Sequence, residues 1–274
     1  MEHQQDNTSQ DPNKSTNVRA FYRKAPTWVR APFTAGSVIA PETTASVAAR
    51  LFFTTRRTAP RTGENEVLAD ARTFDIDGVR AWSWGQGPTI LLVHGWNGRA
   101  TQLGNFVGPL VERGYRVVAF DAPAHGDSSG TRTSIPEIAE AIRLVVERLG
   151  GIEGVIAHSM GGAATTVAMA RGLEVERAVF ISPPSNPEIF IEFFAHALGV
   201  SADVQERVVA KVESRVGRIR ELRADRIAPT MRAPLLVVHD ETDRHVPVQC
   251  GRDIAAAWPG AQFVSTEGLG HQRI

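Results

Sequence analysis

The sequence is poor in several features that mark particular protein classes. Of its 274 residues only Cys250 is a cysteine, so no disulfide can form within the chain. Basic and acidic residues both total 30, giving a formal net charge of zero. Nucleic-acid-binding proteins usually carry a basic excess, so we expect no nucleic-acid partner. A chain with so few cysteines does not depend on an oxidising compartment, which is typical of a cytoplasmic protein.

Long hydrophobic runs and ligand-binding motifs are also missing. No run reaches the ~18 apolar residues that a membrane-spanning helix requires. The first ~20 residues are polar, without the apolar segment of a secretory signal, and are predicted to be a disordered tail. The sequence has no H-E-x-x-H or cysteine cluster, and its Gly85–Gly87 stretch precedes a strand rather than a helix. We therefore expect neither a metal ion nor a cofactor.

Aromatic and basic residues are mixed in the segment that follows the tail. "FYRKAPTWVRAPF" (21–33) and "ARLFFTTRR" (49–57) combine aromatic, leucine and arginine side chains. We predict a helical extension, residues 1–70 with the tail, that packs on the main domain. The alternative is a peripheral contact of this segment with a membrane surface.

The main domain alternates strand-like and helix-like segments. "RTFDIDGVRAWSWG" has the pattern of a hairpin with its turn at Asp77-Gly78, and the continuous apolar run of "TILLV" (89–93) indicates a strand buried on both faces. Strands then alternate with helical patterns through "AQFVSTEG" (261–268). This order predicts an α/β fold with a mostly parallel, doubly wound sheet.

One segment departs from this alternation. Residues 185–228 contain two helical patterns, one of them carried by phenylalanines. An insertion here follows the carboxyl end of a strand, where open α/β sheets bind ligands. We predict a helical cap over residues 185–228, inserted into a core formed by residues 71–184 and 229–274.

"VIAHSMGG" (155–162) leads an apolar strand into a serine flanked by small residues, and then into an alanine-rich helix. A turn this tight strains the serine backbone and requires small neighbours. It also exposes the hydroxyl at a helix N-terminus, where free N–H groups favour negative charge. In a βαβ array the pattern indicates that Ser159 is a nucleophile.

At this point the chain resembles the α/β-hydrolase superfamily, from Phe74 onward. The resemblance depends on motifs in the family's order: "HGW" (94–96), "DAPAHGDS" (121–128), the serine turn, "HDETDRHVP" (239–247) and "GLGH" (268–271). The chain has Ala157 where the family's nucleophile pattern has glycine.

The resemblance implies a catalytic triad and an oxyanion hole. Ser159 would be the nucleophile and His271 the base, while Asp243 matches the family's acid through its D-x-x-V-P pattern. Asp240 and Glu241 stay open as alternative acids. The backbone N–H groups of Trp96 and Met160 would form the oxyanion hole.

The expected activity is hydrolysis of a small-molecule carboxylic ester with a small or medium acyl chain. The residues expected to bind substrate are His94, His158, Phe190, Phe193 and Phe194. Lipase-like, lysophospholipase-like or thioesterase activity stays open. So does a protein of another class, which would use the same fold to bind a signalling ligand without turnover.

Overall fold

A computed structural model describes residues 24–273, with eight strands and nine α-helices in that range. The strands are β1 (Arg72–Ile76), β2 (Val79–Trp84), β3 (Thr89–Val93), β4 (Arg116–Phe120), β5 (Gly154–His158), β6 (Arg177–Ile181), β7 (Leu235–Asp240) and β8 (Gln262–Thr266). The helices are α1 (Thr27–Ile39), α2 (Pro41–Phe52), α3 (Val107–Glu112), α4 (Ile135–Leu149), α5 (Met160–Ala170), α6 (Pro187–Leu198), α7 (Ala202–Val216), α8 (Ala224–Ile227) and α9 (Val248–Ala257).

All eight strands form a single sheet in the order β1-β2-β4-β3-β5-β6-β7-β8. The six strands β4-β3-β5-β6-β7-β8 run parallel to one another. At one edge, β2 pairs antiparallel with both β4 and β1. The hairpin turns at Asp77 (φ 47°) and Gly78 (φ 83°), as a two-residue turn with two positive φ angles requires. The predicted α/β class, mostly parallel sheet and hairpin are confirmed.

Strand β3 shows why its sequence is a continuous apolar run. Leu91 and Val93 contribute to the core on one face of the sheet, with residues of α4, α5 and α9. Ile90 and Leu92 contribute to the core on the other face, with residues of α3 and the segment before it. Both faces are therefore covered, which is the arrangement that a doubly wound sheet requires.

Two helical segments begin without regular α-helical capping. The helical segment after Arg99 begins as a 3₁₀ helix, Ala100–Phe106, and continues as the α-helix α3. At the start of α4, the hydroxyl of Ser134 donates to the Glu137 carboxylate (2.7 Å) rather than capping a backbone N–H.

The segment 185–228 is helical, and the N-terminal helices pack against it. It contains α6, α7, a 3₁₀ turn and α8. Ala45, Ala48 and Ala49 of α2 share a buried cluster with Val204 and Val208 of α7. The small alanines let the two helices approach closely. Helix α2 is therefore packed on this helical insertion.

The tail predicted over the first ~20 residues lies outside the described range. Across residues 24–273, every helix is too short or too polar to cross a lipid bilayer.

Candidate active site

Ser159 occupies a strained turn between β5 and α5. Its backbone has φ 52° and ψ −124°, a conformation that non-glycine residues rarely adopt. The chain holds it there through the hydrogen bond from its N–H to the Ile181 carbonyl (2.8 Å). The strain aims the side chain away from the strand toward the carboxyl edge of the sheet.

Two glycines near Ser159 are required by close contacts. A Cβ on Gly95 would lie 2.9 Å from the Cβ of Ser159, so the chain after β3 passes directly beside the serine. A Cβ on Gly161 would lie 2.6 Å from the Val93 carbonyl oxygen, so α5 begins against the end of β3. Both distances are shorter than real Cβ contacts allow. These contacts bring the loop after β3 and the start of α5 together at Ser159.

The three residues assigned to a triad are joined by hydrogen bonds. Nε2 of His271 lies 3.1 Å from Oγ of Ser159, and its Nδ1 lies 2.7 Å from Oδ2 of Asp243. Asp243 follows β7 and His271 follows β8, so adjacent strands deliver both side chains to the same edge. In this geometry the imidazole of His271 can accept the hydroxyl proton of Ser159, and the carboxylate of Asp243 orients the imidazole.

The carboxylate of Asp243 is buried but well supplied with donors. Its Oδ1 accepts hydrogen bonds from the N–H groups of His245 (2.7 Å) and Val246 (3.0 Å). His239, also buried, places Nε2 3.4 Å from Oδ2. Burial alone would raise the pKa of Asp243, but the hydrogen bonds from His239 and His271 hold it well below its usual range. Asp243 is therefore ionised at neutral pH.

The alternative acids have other partners. The Asp240 carboxylate accepts hydrogen bonds from Thr242, Thr266 and the N–H of Leu269 (3.0 Å). It thereby holds the loop that carries His271. Glu241 pairs with Arg252 at the surface. Of the candidate acids, Asp243 is the one that contacts the imidazole.

His158 connects the serine turn to the His271 loop. Its Nε2 donates a hydrogen bond to the backbone carbonyl of His271 (2.8 Å), and the two rings lie 4.7 Å apart. Burial lowers the pKa of His158 to about 4, so the ring is neutral at pH 7. His158 also lines the cleft described below.

The N–H groups assigned to an oxyanion hole are free to bind a ligand. Among residues 24–273, none accepts a hydrogen bond from the N–H of Trp96 or of Met160. Met160 is the first residue of α5, where backbone N–H groups lack partners within the helix. Both residues line the cleft.

The expectation that His94 binds substrate is wrong. Its side chain is buried and does not line the cleft. Nδ1 lies 2.7 Å from the Gly95 carbonyl, and Nε2 accepts a hydrogen bond from the N–H of Ala122 (2.9 Å). Since both ring nitrogens bond to backbone, His94 braces the loop that carries Trp96. Burial lowers its pKa to about 4.

Two further residues brace this loop: sequence reasoning expected a structural or hydrogen-bonding role for His125 and assigned none to Asp121. Nε2 of His125 accepts a hydrogen bond from the N–H of Asn97 (3.0 Å), and Oδ1 of Asp121 accepts one from Ala100 (2.7 Å). Both belong to the "DAPAHGDS" motif (121–128). The motif thus fixes the loop beside the serine.

A cleft of about 1450 Å³ opens over Ser159. Its apolar side comes from the helical insertion and α2, and it includes Phe52, Phe190, Ile191, Phe194, Val212 and Ile219. Phe193 does not line the cleft: it is buried, with its ring 6.2 Å from that of Phe190. On α6, residues 190, 191 and 194 lie on the face that borders the cleft, and Phe193 lies outside that face. The expectation that Phe193 binds substrate is therefore wrong.

Sequence comparison supports these observations. A profile described as the Alpha/beta hydrolase family matches residues 90–274. The chain is 24% identical to the uncharacterized hydrolase YugF of Bacillus subtilis, over 75% of this chain and 93% of that protein. It is 26% identical to the pimeloyl-[acyl-carrier protein] methyl ester esterase of Xanthomonas campestris pv. campestris, over 68% of this chain and 89% of that protein.

A third relative matches over a shorter stretch. It is the dihydrolipoyllysine-residue acetyltransferase component of the acetoin cleaving system of Cupriavidus necator, with 33% identity over 44% of this chain. The match covers only about a third (34%) of that protein's length.

Solved structures with a similar fold are too distant in sequence to indicate more than the fold. A putative lipase from Acinetobacter baumannii has a TM-score of 0.57 and 17% identity, covering 76% of this chain and 87% of that chain. An esterase from Exiguobacterium antarcticum has a TM-score of 0.55 and 17% identity, covering 72% and 90%.

Proposed function

Because the chain belongs to the α/β hydrolase family, we propose that it is a serine hydrolase that cleaves carboxylic esters through an acyl-enzyme. The observation that carries this proposal is the continuous set of hydrogen bonds from Ser159 through His271 to Asp243. An isolated serine hydroxyl is a weak nucleophile at neutral pH, and this arrangement supplies its base and the orienting carboxylate.

The reaction proceeds in two halves. Oγ of Ser159 attacks the ester carbonyl carbon while Nε2 of His271 takes the hydroxyl proton. The tetrahedral intermediate collapses, and the departing alcohol takes that proton from His271, leaving an acyl group on Ser159. A water molecule then attacks the acyl carbon and gives a proton to His271. His271 returns the proton to Oγ of Ser159 as the carboxylic acid leaves.

Asp243 and the free N–H groups stabilise the charges that form. The ionised Asp243 accepts a hydrogen bond from Nδ1 of His271, which keeps Nε2 free to accept the serine proton and stabilises the imidazolium. The N–H groups of Trp96 and Met160 would donate to the oxyanion, and each such donor contributes roughly 3 kcal/mol to transition-state stabilisation.

The composition of the cleft supports an ester with an apolar acyl group. Phe52, Phe190 and Phe194 line its apolar side, and the rings of Phe52 and Phe194 meet edge to face at 5.5 Å. A small or medium acyl chain would bury its surface against these rings. The methyl ester esterase among the relatives supports ester cleavage. We place this activity in the cytoplasm.

Thioesterase, lysophospholipase-like or lipase-like activity would use the same attack on a carbonyl carbon, and the choice of substrate decides between them. A ligand-binding protein on this fold would instead retain its product after a single event. Repeated turnover therefore separates the enzyme from that alternative.

The test is a series of 4-nitrophenyl esters of graded acyl length, assayed under multiple-turnover conditions. We expect many turnovers per protein molecule, with the highest kcat/KM at short to medium chains. The Ser159→Ala variant should lose several orders of magnitude in kcat, since removal of the nucleophile leaves only binding effects. Ser265→Ala, at an exposed position of β8, is the matched control and should keep full activity. Retained turnover in pure Ser159→Ala protein would exclude this mechanism.

A further inference from the structure

Helix α1 presents an apolar face to the solvent. The exposed positions that lie on this face are Trp28, Ala31, Pro32, Ala35, Val38 and Ile39. They recur at intervals of three and four residues, so they form one row along the helix. Trp28, Val38 and Ile39 expose 79%, 84% and 82% of their surface. Surface helices ordinarily place such a row against the core.

Exposed apolar side chains are concentrated in this part of the molecule. Within residues 24–273, the large hydrophobic residues that are exposed are Trp28, Val38, Ile39, Val47, Leu51, Val264 and Leu269. All but the last two belong to α1 and α2. Single exposed hydrophobics need no explanation, whereas such a concentration marks an interaction surface.

The opposite face of α1 fixes the direction of the row. Val29 and Phe33 pack against the buried cluster shared by α2, α6 and α7. Oγ1 of Thr34 donates to the carbonyl of Gly199 (2.9 Å), and the N–H of Ala25 donates to the carbonyl of Ala197 (3.1 Å). The helix is thus attached to the end of α6, and its apolar row points outward as a consequence.

The surroundings of the row are basic. Lys24 precedes α1 and Arg50 lies near the end of α2, both exposed. The one acidic residue between positions 24 and 57 is Glu42, whose carboxylate pairs with Arg207 and Lys211 of α7. The segment therefore has uncompensated positive charge.

We propose that α1 docks on the surface of an anionic lipid bilayer, with Trp28, Val38 and Ile39 entering the headgroup region. An apolar helical row with flanking basic residues fits such a surface, because lipid chains cover the apolar side chains while anionic headgroups attract the cations. Tryptophan is favoured at this depth. Leu51 of the adjacent α2 is exposed and also lines the cleft.

The test measures partitioning of the full-length chain onto sedimented vesicles, without any turnover, so its outcome is independent of the proposed function. Vesicles of phosphatidylcholine are compared with vesicles that also contain phosphatidylglycerol. We expect binding to the anionic vesicles, weakened by added salt. The double variant Val38→Gln/Ile39→Gln should reduce partitioning at least about ten-fold, because glutamine side chains at these positions bury less apolar surface in the bilayer. Val264→Gln, an exposed valine on β8, is the matched control and should bind as the wild type does.

The double variant and the control should both unfold in urea at the wild-type midpoint, which shows that each is folded without reference to any activity. The proposal is overturned if the wild type binds both vesicle types equally or binds neither. It is also overturned if Val38→Gln/Ile39→Gln binds as well as the wild type. A dimer that forms without lipid and disappears in that variant would overturn it too, since the row would then belong to a second copy of the chain. Sedimentation velocity of the lipid-free protein measures this last outcome.

Discussion

Nε2 of His158 donates a hydrogen bond to the backbone carbonyl of His271 at 2.8 Å. The residue before the proposed nucleophile therefore holds the loop that carries the proposed base, although 113 residues separate the two in sequence. Asp240 holds the same loop through the N–H of Leu269. Both contacts fix the position of the imidazole relative to Ser159.

Removal of the His158 donor should lower kcat more than it changes KM. His158→Phe keeps a planar ring but cannot donate to the His271 carbonyl, so the imidazole is less well placed. A displacement on the order of 1 Å costs up to about 100-fold in rate, and we expect a loss of 10- to 100-fold. Steady-state kinetics on a 4-nitrophenyl ester measures it.

His158→Gln is the matched variant, since its amide can place a donor close to the position of Nε2. It should recover a large part of the lost kcat. Equal losses in the glutamine and phenylalanine variants would mean that the ring, and not the hydrogen bond, is what matters.

Neutralising Asp243 should nearly abolish activity while the chain still folds. Asp243→Asn leaves a side chain of the same shape, but it no longer favours the imidazole tautomer that can accept the serine proton. In the serine protease triad the same change costs about 10⁴-fold in kcat, and we expect a loss of that order. Glu241→Gln, two residues away and paired with Arg252 at the surface, should keep wild-type kcat. A larger loss in Glu241→Gln than in Asp243→Asn would assign the acid to Glu241.

Buried histidines should make the protein sensitive to mild acid. Burial lowers the pKa values of His94, His125 and His158 to about 4, from an ordinary value of 6.5. Between these two pH values the unfolded chain binds protons that the folded chain does not, so the free energy of unfolding rises with pH. The stabilisation is complete above pH 6.5 and is lost as pH falls toward 4, by roughly 1.4 kcal/mol per pH unit for each group.

Urea unfolding across this pH range measures the effect. His125→Gln retains an acceptor for the N–H of Asn97 but removes one titrating group. Its free energy of unfolding should therefore depend on pH less steeply than that of the wild type. The difference in slope should correspond to about one bound proton, roughly 1.4 kcal/mol per pH unit. Parallel curves for the two proteins would contradict this explanation of acid sensitivity.

A methyl group on Gly161 should disturb both stability and catalysis. Its Cβ would meet the carbonyl oxygens of Val93 and His94 at 2.6 and 2.7 Å, so the start of α5 must move away from β3. Such overpacking costs about 1–3 kcal/mol in unfolding free energy, and it shifts the N–H of Met160. Gly108→Ala is the control: α3 leaves open space there, so this change should be neutral or stabilising. Equal unfolding midpoints for the two variants would contradict the packing argument.

The features predicted correctly from sequence are those that local chemistry decides. The Asp77-Gly78 hairpin follows from residues that tolerate positive φ, and the alternation of strands and helices follows from hydrophobic patterning. The turn at Ser159 could be anticipated because the residues around it are small, as the close contacts of a strained strand-to-helix turn require.

The features that sequence did not predict depend on tertiary direction. Histidines next to functional motifs look alike in sequence, but His94 points into the protein while His158 lines the cleft. Phe193 and Phe194 are adjacent, yet a helical rotation of 100° buries one and turns the other toward the cleft. Helix α1 has an ordinary amphipathic pattern, and only its packing reveals that the apolar row faces solvent.

The central claim is that Ser159 is the reactive nucleophile, and covalent labelling tests it most directly. A fluorophosphonate should react with one equivalent of protein, abolish ester turnover in step with labelling, and appear by mass spectrometry on the peptide that contains Ser159. Asp243→Asn should label far more slowly, because its serine lacks an oriented base. Label on any other residue, or full activity in fully labelled protein, would contradict the account.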